Sequence, residues 1–215
     1  SNTSAAATTV GAPFTAILEA ASVGFDFNPQ VASAADATVR VDRIRVVSGN
    51  RTNLRLVPNT GALVDGDANT PGSQNDGPLT YAQGDPRFGT APRVVAAAYT
   101  NNVATASPSG TINYGIDITT GNLVTQGRPD RDGTGPDVAV SPNTGQLFTV
   151  GALGVTVGNR TSFDIGAGSS NNALIVNNVQ LSSVNLSTGR ATVLGNVEVP
   201  NGTQLTGLAI VPSAT

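Results

Sequence analysis

One segment of the sequence places oxygen-bearing side chains at the spacing of a calcium-binding loop. The candidate ligands are Asp130, Asp132, Thr134 and Asp137. The first three stand at alternate positions and Gly135 is sixth, as in the first half of such a loop. Ser141 replaces the bidentate Glu expected at the twelfth position, and Arg131 adds a positive charge. A turn rich in Asp and Gly also forms without metal, so we expect no cofactor and keep calcium as the alternative. The segment Asp65-Gly-Asp67-Ala-Asn69 is a less complete version that lacks the sixth Gly.

Two aspartates, Asp26 and Asp164, stand between large apolar neighbours in the sequences Phe-Asp-Phe and Phe-Asp-Ile. In a strand, their side chains point to the face opposite those neighbours. A pair of carboxylates can serve as acid and base in glycoside hydrolysis. An Asp in this setting more often caps a neighbouring loop or pairs with an Arg, such as Arg43 or Arg45. We adopt this structural interpretation and expect that the chain is not an enzyme.

The residue types that catalysis and cofactor binding use most are missing. The chain has no His, Cys, Met, Trp or Lys, and all eleven cations are Arg. A Ser–His–Asp or Cys–His triad, a His- or Cys-based zinc or haem site, a Schiff base and a P-loop are therefore excluded. Aromatic residues make up only 4% of the chain, so a platform for sugars is limited to one groove that Tyr81, Phe88 and Tyr99 could line.

The chain carries few charges, at 12% against the usual level of about 25%. Asn, Thr, Ser and Gly must therefore cover the surface, which leaves little charge repulsion between copies. Such a surface suits an extracellular protein that packs against other copies or against glycans. A net charge of −3 with scattered Arg argues against nucleic acid, which needs a clustered basic face. The apolar runs are far shorter than the roughly 20 residues of a membrane-spanning helix.

Short β-branched runs predict an all-β fold. Gly, Pro, Asn, Asp, Ser and Thr break the chain every eight to twelve residues, and many runs alternate between apolar and polar side chains. The predicted strands are Val39–Val47, Leu54–Val57, Val94–Tyr99, Ile112–Ile118, Leu147–Val150, Leu174–Val176, Ala191–Leu194 and Leu205–Val211. For residues 14–21 we expect strand or irregular structure rather than helix.

An internal repeat places a Thr-Gly step after an apolar strand at four points. The steps are Thr60-Gly61, Thr120-Gly121, Thr144-Gly145 and Thr188-Gly189. An Asn, Asp or Ser caps each turn through its side chain, and the Gly takes a positive φ at no steric cost. The repeat therefore predicts hairpins with loops of about three to five residues.

The spacing of these steps favours a propeller-like array. The four glycines are 60, 24 and 44 residues apart, and one hairpin in each four-stranded blade would give about 40–45. Insertions explain the unevenness, because 68–89 is a long polar loop and 128–150 resembles an added hairpin. We predict about four or five antiparallel blades, with a β-sandwich as the alternative. The predicted domains are an extended N-terminal arm at 1–10 and one β-propeller-like domain at 11–215.

Several ordered segments carry a resemblance to a known family. They are Gly24-Phe-Asp-Phe-Asn-Pro29, Val41-Asp-Arg-Ile-Arg-Val-Val-Ser48, Asn53-Leu-Arg-Leu56, Gly89-Thr-Ala-Pro-Arg-Val-Val-Ala-Ala-Ala-Tyr-Thr-Asn-Asn102, Tyr114-Gly-Ile-Asp117, Val150-Gly-Ala-Leu-Gly-Val155 and Phe163-Asp-Ile165. Together they resemble an uncharacterised family of exported bacterial domains, usually predicted to be β-propellers. The resemblance runs from Gly11 to Val211. It implies a fold and an exported location, and it implies no known activity and no catalytic residues.

The chain departs from the pattern of that family in three places. An Ala/Ser/Thr-rich stretch lies between Pro29 and Val41, and an insertion with its own Thr-Gly turn lies between Gly127 and Val150. The strand-rich blade that family members have before the region of Thr8 is missing, so the first blade is expected to be incomplete. A propeller short of a blade has unpaired edges, which predicts that a neighbouring chain fills the gap by strand addition.

These observations predict a secreted protein with a structural role, outside the cell or at its surface. Because the chain has no Met, we expect that Ser1 was produced by cleavage, and removal of a signal peptide is the commonest natural route. We predict a self-associating subunit of a surface fibre, sheath or matrix whose copies exchange strands. The alternative is a monomeric binding module for a glycan, a peptide or calcium. We expect no nucleic acid partner and no membrane span.

Overall fold

The computed structural model of the chain is all-β over the residues that it describes. These are 8–13, 16, 18–19, 23–33, 35, 40–103, 110–129, 139–167, 171–201 and 204–211. Twelve strands in this part form three sheets, none of which closes on itself. The helical structure of the same residues is limited to a 3-10 turn at Pro142–Thr144, and no helix among them is long and apolar enough to cross a membrane. The predicted all-β class is confirmed.

Each sheet is mainly a meander of strands that follow one another in the sequence. Sheet I contains β1 (Val23–Ala32), β2 (Arg40–Ser48) and β3 (Asn53–Leu56), in that order. Sheet II contains, from edge to edge, β4 (Thr80–Tyr81), β8 (Gln146–Ala152), β7 (Asn122–Gln126), β6 (Asn113–Asp117) and β5 (Val94–Tyr99). Sheet III contains β12 (Ala191–Asn196), β11 (Gln180–Val184), β10 (Ala173–Asn177) and β9 (Thr161–Ile165). All neighbours pair antiparallel except β4, which is parallel to β8.

Sheet II shares an apolar core with each of the other two sheets. Successive side chains of a strand point to opposite faces, so the adjacent residues Leu123 and Val124 of β7 belong to different cores. Leu123 packs with Phe163 and Ile165 of sheet III, whereas Val124 packs with Val47 of sheet I. This face-to-face packing of sheets fits the sandwich-like alternative.

The Thr-Gly steps adopt the predicted left-handed turn conformation, with φ between +65° and +78° at all four glycines. Three of the steps join neighbouring antiparallel segments, one in each sheet. The step at Thr144-Gly145 is different, because Val140 bridges Arg128 and β8 then continues along the same neighbour, β7. The Thr144-Gly145 step therefore lies within one run of pairing along β7 and its extension at Arg128, rather than between two neighbouring strands. This accounts for the short spacing before Gly145.

Two predictions about strands differ from the structure. The segment Leu205–Val211 forms no strand; instead, the Ile210 N–H donates to the carboxylate of Asp164. Conversely, the eight predicted strands do not include β1, β4, β7, β9 and β11, and in β1 the pattern is interrupted by Asn28 and Pro29. The strand continues past them with a register shift between Asn28 and Val31. Residues 1–7 of the predicted N-terminal arm lie outside the described part of the chain.

Gly24 in β1 allows sheet I to approach sheet II closely, and this predicts a strict size limit. A Cβ atom at this position would lie 2.6 Å from the Cα atom and the carbonyl carbon of Ala96 in β5. We expect Gly24→Ala to lower the free energy of unfolding by about 1–3 kcal/mol, because overpacking displaces backbone. Urea unfolding followed by circular dichroism measures the loss. Gly207→Ala is the control, since a Cβ atom there meets nothing within 4 Å, and equal losses in both variants would contradict the argument.

Candidate functional site

A buried ion-pair network ties sheet I to the loop that leads to β4. Arg45 in β2 donates from Nη1 to Asp76 Oδ2 at 2.6 Å and to Asn53 Oδ1 at 2.7 Å. Arg55 in β3 donates to the two carboxylate oxygens of Asp76, at 2.8 Å in each case. The side chains of Arg45 and Asp76 are only 2% and 0% exposed. Two guanidinium groups therefore depend on one carboxylate that water does not reach.

The same network continues into sheet II. Arg45 also donates from Nη2 to Asn143 Oδ1 at 2.7 Å. Gln126 in β7 donates to Asn53 Oδ1 at 2.9 Å and accepts from Asn113 Nδ2 of β6 at 3.1 Å. These hydrogen bonds between side chains hold the two sheets together, and Asn113 Oδ1 is a buried atom of the network for which the described residues give no partner.

Asp26 and Asp164 occupy equivalent positions in β1 and β9, the first strands of sheets I and III. One oxygen of each carboxylate accepts from the backbone N–H of the next residue, at 2.7 and 2.8 Å. The other oxygen accepts a backbone N–H from outside the sheet, that of Tyr99 for Asp26 at 2.7 Å and that of Ile210 for Asp164 at 2.5 Å. Each carboxylate therefore connects its own sheet to a backbone segment outside that sheet, which is β5 for Asp26 and the segment around Ile210 for Asp164.

The environments of these two carboxylates favour their neutral forms. Burial raises the pKa of Asp26 to about 6; the N–H groups of Tyr99 and Phe27 lower it, and the charge of Asp164 raises it. Burial likewise raises the pKa of Asp164. Raised pKa values are common in catalytic acids, but here backbone donors occupy the carboxylate oxygens. The expected pairing with Arg43 or Arg45 is not formed, whereas the capping of backbone is.

Of the two candidate calcium loops, only the second, at residues 65–69, lies within the described part of the chain. Asp130, Asp132, Thr134 and Asp137 lie outside the described residues, so calcium there stays the alternative to the prediction of no cofactor. In the second candidate loop, Asp65 Oδ1 accepts from Gln74 N at 2.9 Å and Asp67 Oδ2 accepts from the Thr70 hydroxyl at 2.7 Å. Hydrogen bonds within the loop thus use these oxygens. Over the described ranges, no three His, Cys, Asp or Glu residues gather in a way that could hold a metal ion.

The aromatic groove predicted from Tyr81, Phe88 and Tyr99 is not formed. Tyr81 is buried in the core between sheets I and II, where its hydroxyl donates to Asp117 Oδ2 at 2.6 Å. Burial raises the pKa of Tyr81, and the hydrogen bond to Asp117 adds to the effect. Tyr99 is also buried, and its hydroxyl accepts from Arg45 Nε at 3.3 Å. Both tyrosines belong to the protein core, and Phe88 is exposed in a separate loop.

Two apolar surfaces are open to solvent. The first, the β1 aromatic face, consists of Val23, Phe25 and Phe27, which alternate along β1 and so share one side of it. Phe25 is 62% exposed and Phe27 is 43% exposed. The second, the β12 edge, carries the exposed residues Val193 and Leu194 on the outermost strand of sheet III. Exposed apolar side chains grouped in this way are typical of contact surfaces.

A cleft with a volume of about 460 Å³ opens between sheets II and III. One wall is formed by Tyr114, Thr125 and Phe148, which pair across β6, β7 and β8. Residues 186 and 187, in the turn between β11 and β12, form the opposite wall. Sequence reasoning missed the two aromatic residues because they are far apart in the chain, and only the pairing register of three strands brings them into one row.

The chain belongs to the family described as Domain of unknown function (DUF4394), whose model matches residues 1–209. This confirms that the chain is a member of an uncharacterised family. Neither the curated proteins nor the solved structures contain a match to the chain. Family membership therefore assigns no activity, and function has to be argued from the surfaces described above.

The buried network predicts a large effect of removing the charge of Asp76. We expect Asp76→Asn to lower the free energy of unfolding by about 3–5 kcal/mol, because it leaves two guanidinium groups without a counter-ion in a dry site. Asp42→Asn is the matched control, since Asp42 lies exposed in the same sheet and should change stability by less than about 0.5 kcal/mol. Chemical denaturation measures both variants. A loss at position 76 no larger than that of the control would disprove the role of the network.

The raised pKa of Asp26 predicts a dependence of stability on pH. Between the unfolded value of 3.8 and the folded value of about 6, the native state binds more protons than the unfolded state. The free energy of unfolding therefore falls as the pH rises through this window, by about 3 kcal/mol in total. Asp26→Asn removes this titration, so wild type should lose stability relative to the variant between pH 4 and 7.

Thermal unfolding at a series of pH values tests this expectation, with Asp67→Asn as the control. The pKa of Asp67 is lowered, chiefly by its hydrogen bond from Thr70, so this group titrates below the window. The difference between wild type and Asp67→Asn should stay constant from pH 4 to 7. A constant difference for Asp26→Asn as well would show that the carboxylate does not titrate as argued.

Proposed function

We propose that this member of the DUF4394 family is an extracellular structural protein whose copies associate through the β1 aromatic face and the β12 edge. The observation that carries the proposal is the exposure of Phe25 and Phe27 on a strand whose other side packs closely on sheet II. Such side chains give a soluble domain no stability in the open position. They gain it when a second surface covers them.

The free energy available from this contact is substantial. Burying one Phe side chain contributes about 1.5–3 kcal/mol, and the β1 aromatic face carries two of them beside Val23. Few charges oppose the approach of another copy, because charged residues make up 12% of the chain. With so few charged residues, the surface of the chain as a whole is rich in Asn, Thr and Ser, which supports the proposed location outside the cell.

The two open surfaces differ, and this favours an extended assembly. A contact between two different patches is heterologous, and it repeats from copy to copy unless its rotation closes a ring. The β12 edge adds unpaired backbone groups, which pair readily with a strand of another chain. A fibre, sheath or matrix subunit that exchanges strands with its neighbours is the form of assembly that these features support.

We also propose that the three sheets are arranged as blades of a propeller-like domain. The strands β1, β5 and β9 are the first strands of the three meanders, and β5 contacts both β1 and β9. Together with residues 206–208, they surround a cavity of about 90 Å³. Blades of a propeller are placed in this way around a central channel. In this arrangement, the β1 aromatic face is the side of sheet I on which a further blade, supplied by another copy, would pack.

Substitution of Phe25 tests the proposed association. We expect wild type to form concentration-dependent oligomers in sedimentation velocity experiments and fibres or sheets in negative-stain microscopy. Phe25→Thr should weaken association about 10- to 100-fold, the range that corresponds to the burial of one Phe side chain. Phe88→Thr is the matched control, because Phe88 is 63% exposed in a loop away from both surfaces.

Two results would count against the proposal. One is a monodisperse wild-type monomer at high protein concentration, which would leave the open face without a partner copy. The other is an equal effect of Phe25→Thr and Phe88→Thr, which would show that loss of any exposed aromatic side chain changes solubility.

A further inference from the structure

We propose that the cleft between sheets II and III is a binding site for an oligosaccharide. This site is separate from the β1 aromatic face and the β12 edge, so it adds a ligand-binding activity to the proposed structural role. Its chemistry comes from a row of side chains on sheet II and from amide side chains at the start and end of the sheet III strands.

The row on sheet II places two aromatic side chains, Tyr114 and Phe148, in the wall of the cleft at a regular spacing. Tyr114 pairs with Thr125, and Thr125 pairs with Phe148, so all three side chains lie on the same side of the sheet. Neighbouring strands are about 4.8 Å apart, which separates the two aromatic positions by roughly 10 Å. Sugar rings present C–H bonds on one face, and these pack against aromatic rings. A row of this kind therefore suits a chain of sugar units better than a single small molecule.

The Phe148 ring is supported on one side by a cation. The guanidinium carbon of Arg128 lies 4.9 Å from the centre of this ring, within the range of a cation–π interaction. This contact orients the ring at the end of the row. Among the described residues that line the cleft, Arg128 is the charged one.

Amide side chains extend the site beyond the aromatic row. The cleft adjoins a second one of about 750 Å³, with which it shares the lining residues Tyr114 and 186–187. Asn171, Asn172 and Asn185 line this second part, and an amide group can both donate to and accept from sugar hydroxyls. Asn171 Oδ1 accepts from Asn101 N at 2.9 Å, so this rim is fixed between the two sheets before a ligand arrives.

The polar side chains on the rim of the cleft match a neutral ligand that is rich in hydroxyl groups. Asn185 Oδ1 accepts from the N–H groups of Ser187 and Thr188 at 2.9 and 3.1 Å, which fixes the side chain and leaves its Nδ2 donor for a ligand. Asn172 and Ser187 are exposed on the same rim. The volumes of both parts lie within the usual range of about 300–1,000 Å³ for ligand sites. Aromatic faces, neutral amides and hydroxyls together are the groups that recognise a glycan.

Binding to a glycan array, followed by titration calorimetry with the best hexasaccharide, tests the proposal. We expect Phe148→Ala to weaken binding at least 10-fold, with Phe88→Ala unchanged as the control. Because Phe148 also contacts the protein interior, Ser187→Tyr provides a second variant, in which an exposed turn residue fills the cleft without any loss of core packing. It should abolish binding while the thermal unfolding temperature stays that of wild type.

The outcome is separable from that of the association experiment. Phe25→Thr lies outside the cleft and should bind the hexasaccharide as wild type does, whatever its state of association. Failure of wild type to bind any glycan on the array overturns the proposal, and so does binding that Ser187→Tyr leaves unaltered. Neither result would affect the proposed self-association of the chain, because that proposal is tested by a different experiment on a different surface.

Discussion

A single buried carboxylate, that of Asp76, ties sheet I to the loop that leads to β4 of sheet II. Asp76 is the counter-ion of both Arg45 and Arg55, and a buried guanidinium group without a counter-ion costs several kcal/mol. The loop before β4 must therefore return across sheet I, although it contains little regular structure. Asn53 and Asn143 occupy other donors of Arg45, so the turn before β8 is held by the same group. One charge thus fixes the relative position of a sheet, a loop and a turn.

Asp26 and Asp164, in the first strands of sheets I and III, also connect separate segments, but they do so by accepting backbone N–H groups instead of by pairing with a cation. Asp26 and Asp164 accept N–H groups that lie beyond the edge of their own sheets, and a buried N–H group without an acceptor is costly. Their carboxylates are structural for this reason, even though burial raises the pKa of both groups. At Asp26 and Asp164, the raised pKa thus belongs to a carboxylate that connects its sheet to a backbone segment outside it.

The proposed function rests on the surfaces that these internal contacts leave exposed. The carboxylates of Asp26, Asp76 and Asp164 are occupied by contacts within the fold, and the β1 aromatic face is apolar. The β1 aromatic face suits contact with another copy, and the cleft beside Tyr114 and Phe148 suits a sugar chain. A protein that assembles outside the cell and binds glycan would combine both surfaces, one on sheet I and the other between sheets II and III.

The sequence alone determined the local features of this protein. The glycine of each Thr-Gly step, most of the strands and the all-β class follow from backbone preferences and alternation, which act over a few residues. The tertiary structure decided which faces are covered. Phe25 and Tyr81 are both large aromatic residues within short strands, yet one is exposed and the other buried, because only one of these positions has a sheet packed over it. Likewise, Arg45 meets Asp76, and Tyr114 joins Phe148 in one row, through packing and register between distant segments, which local sequence patterns do not encode.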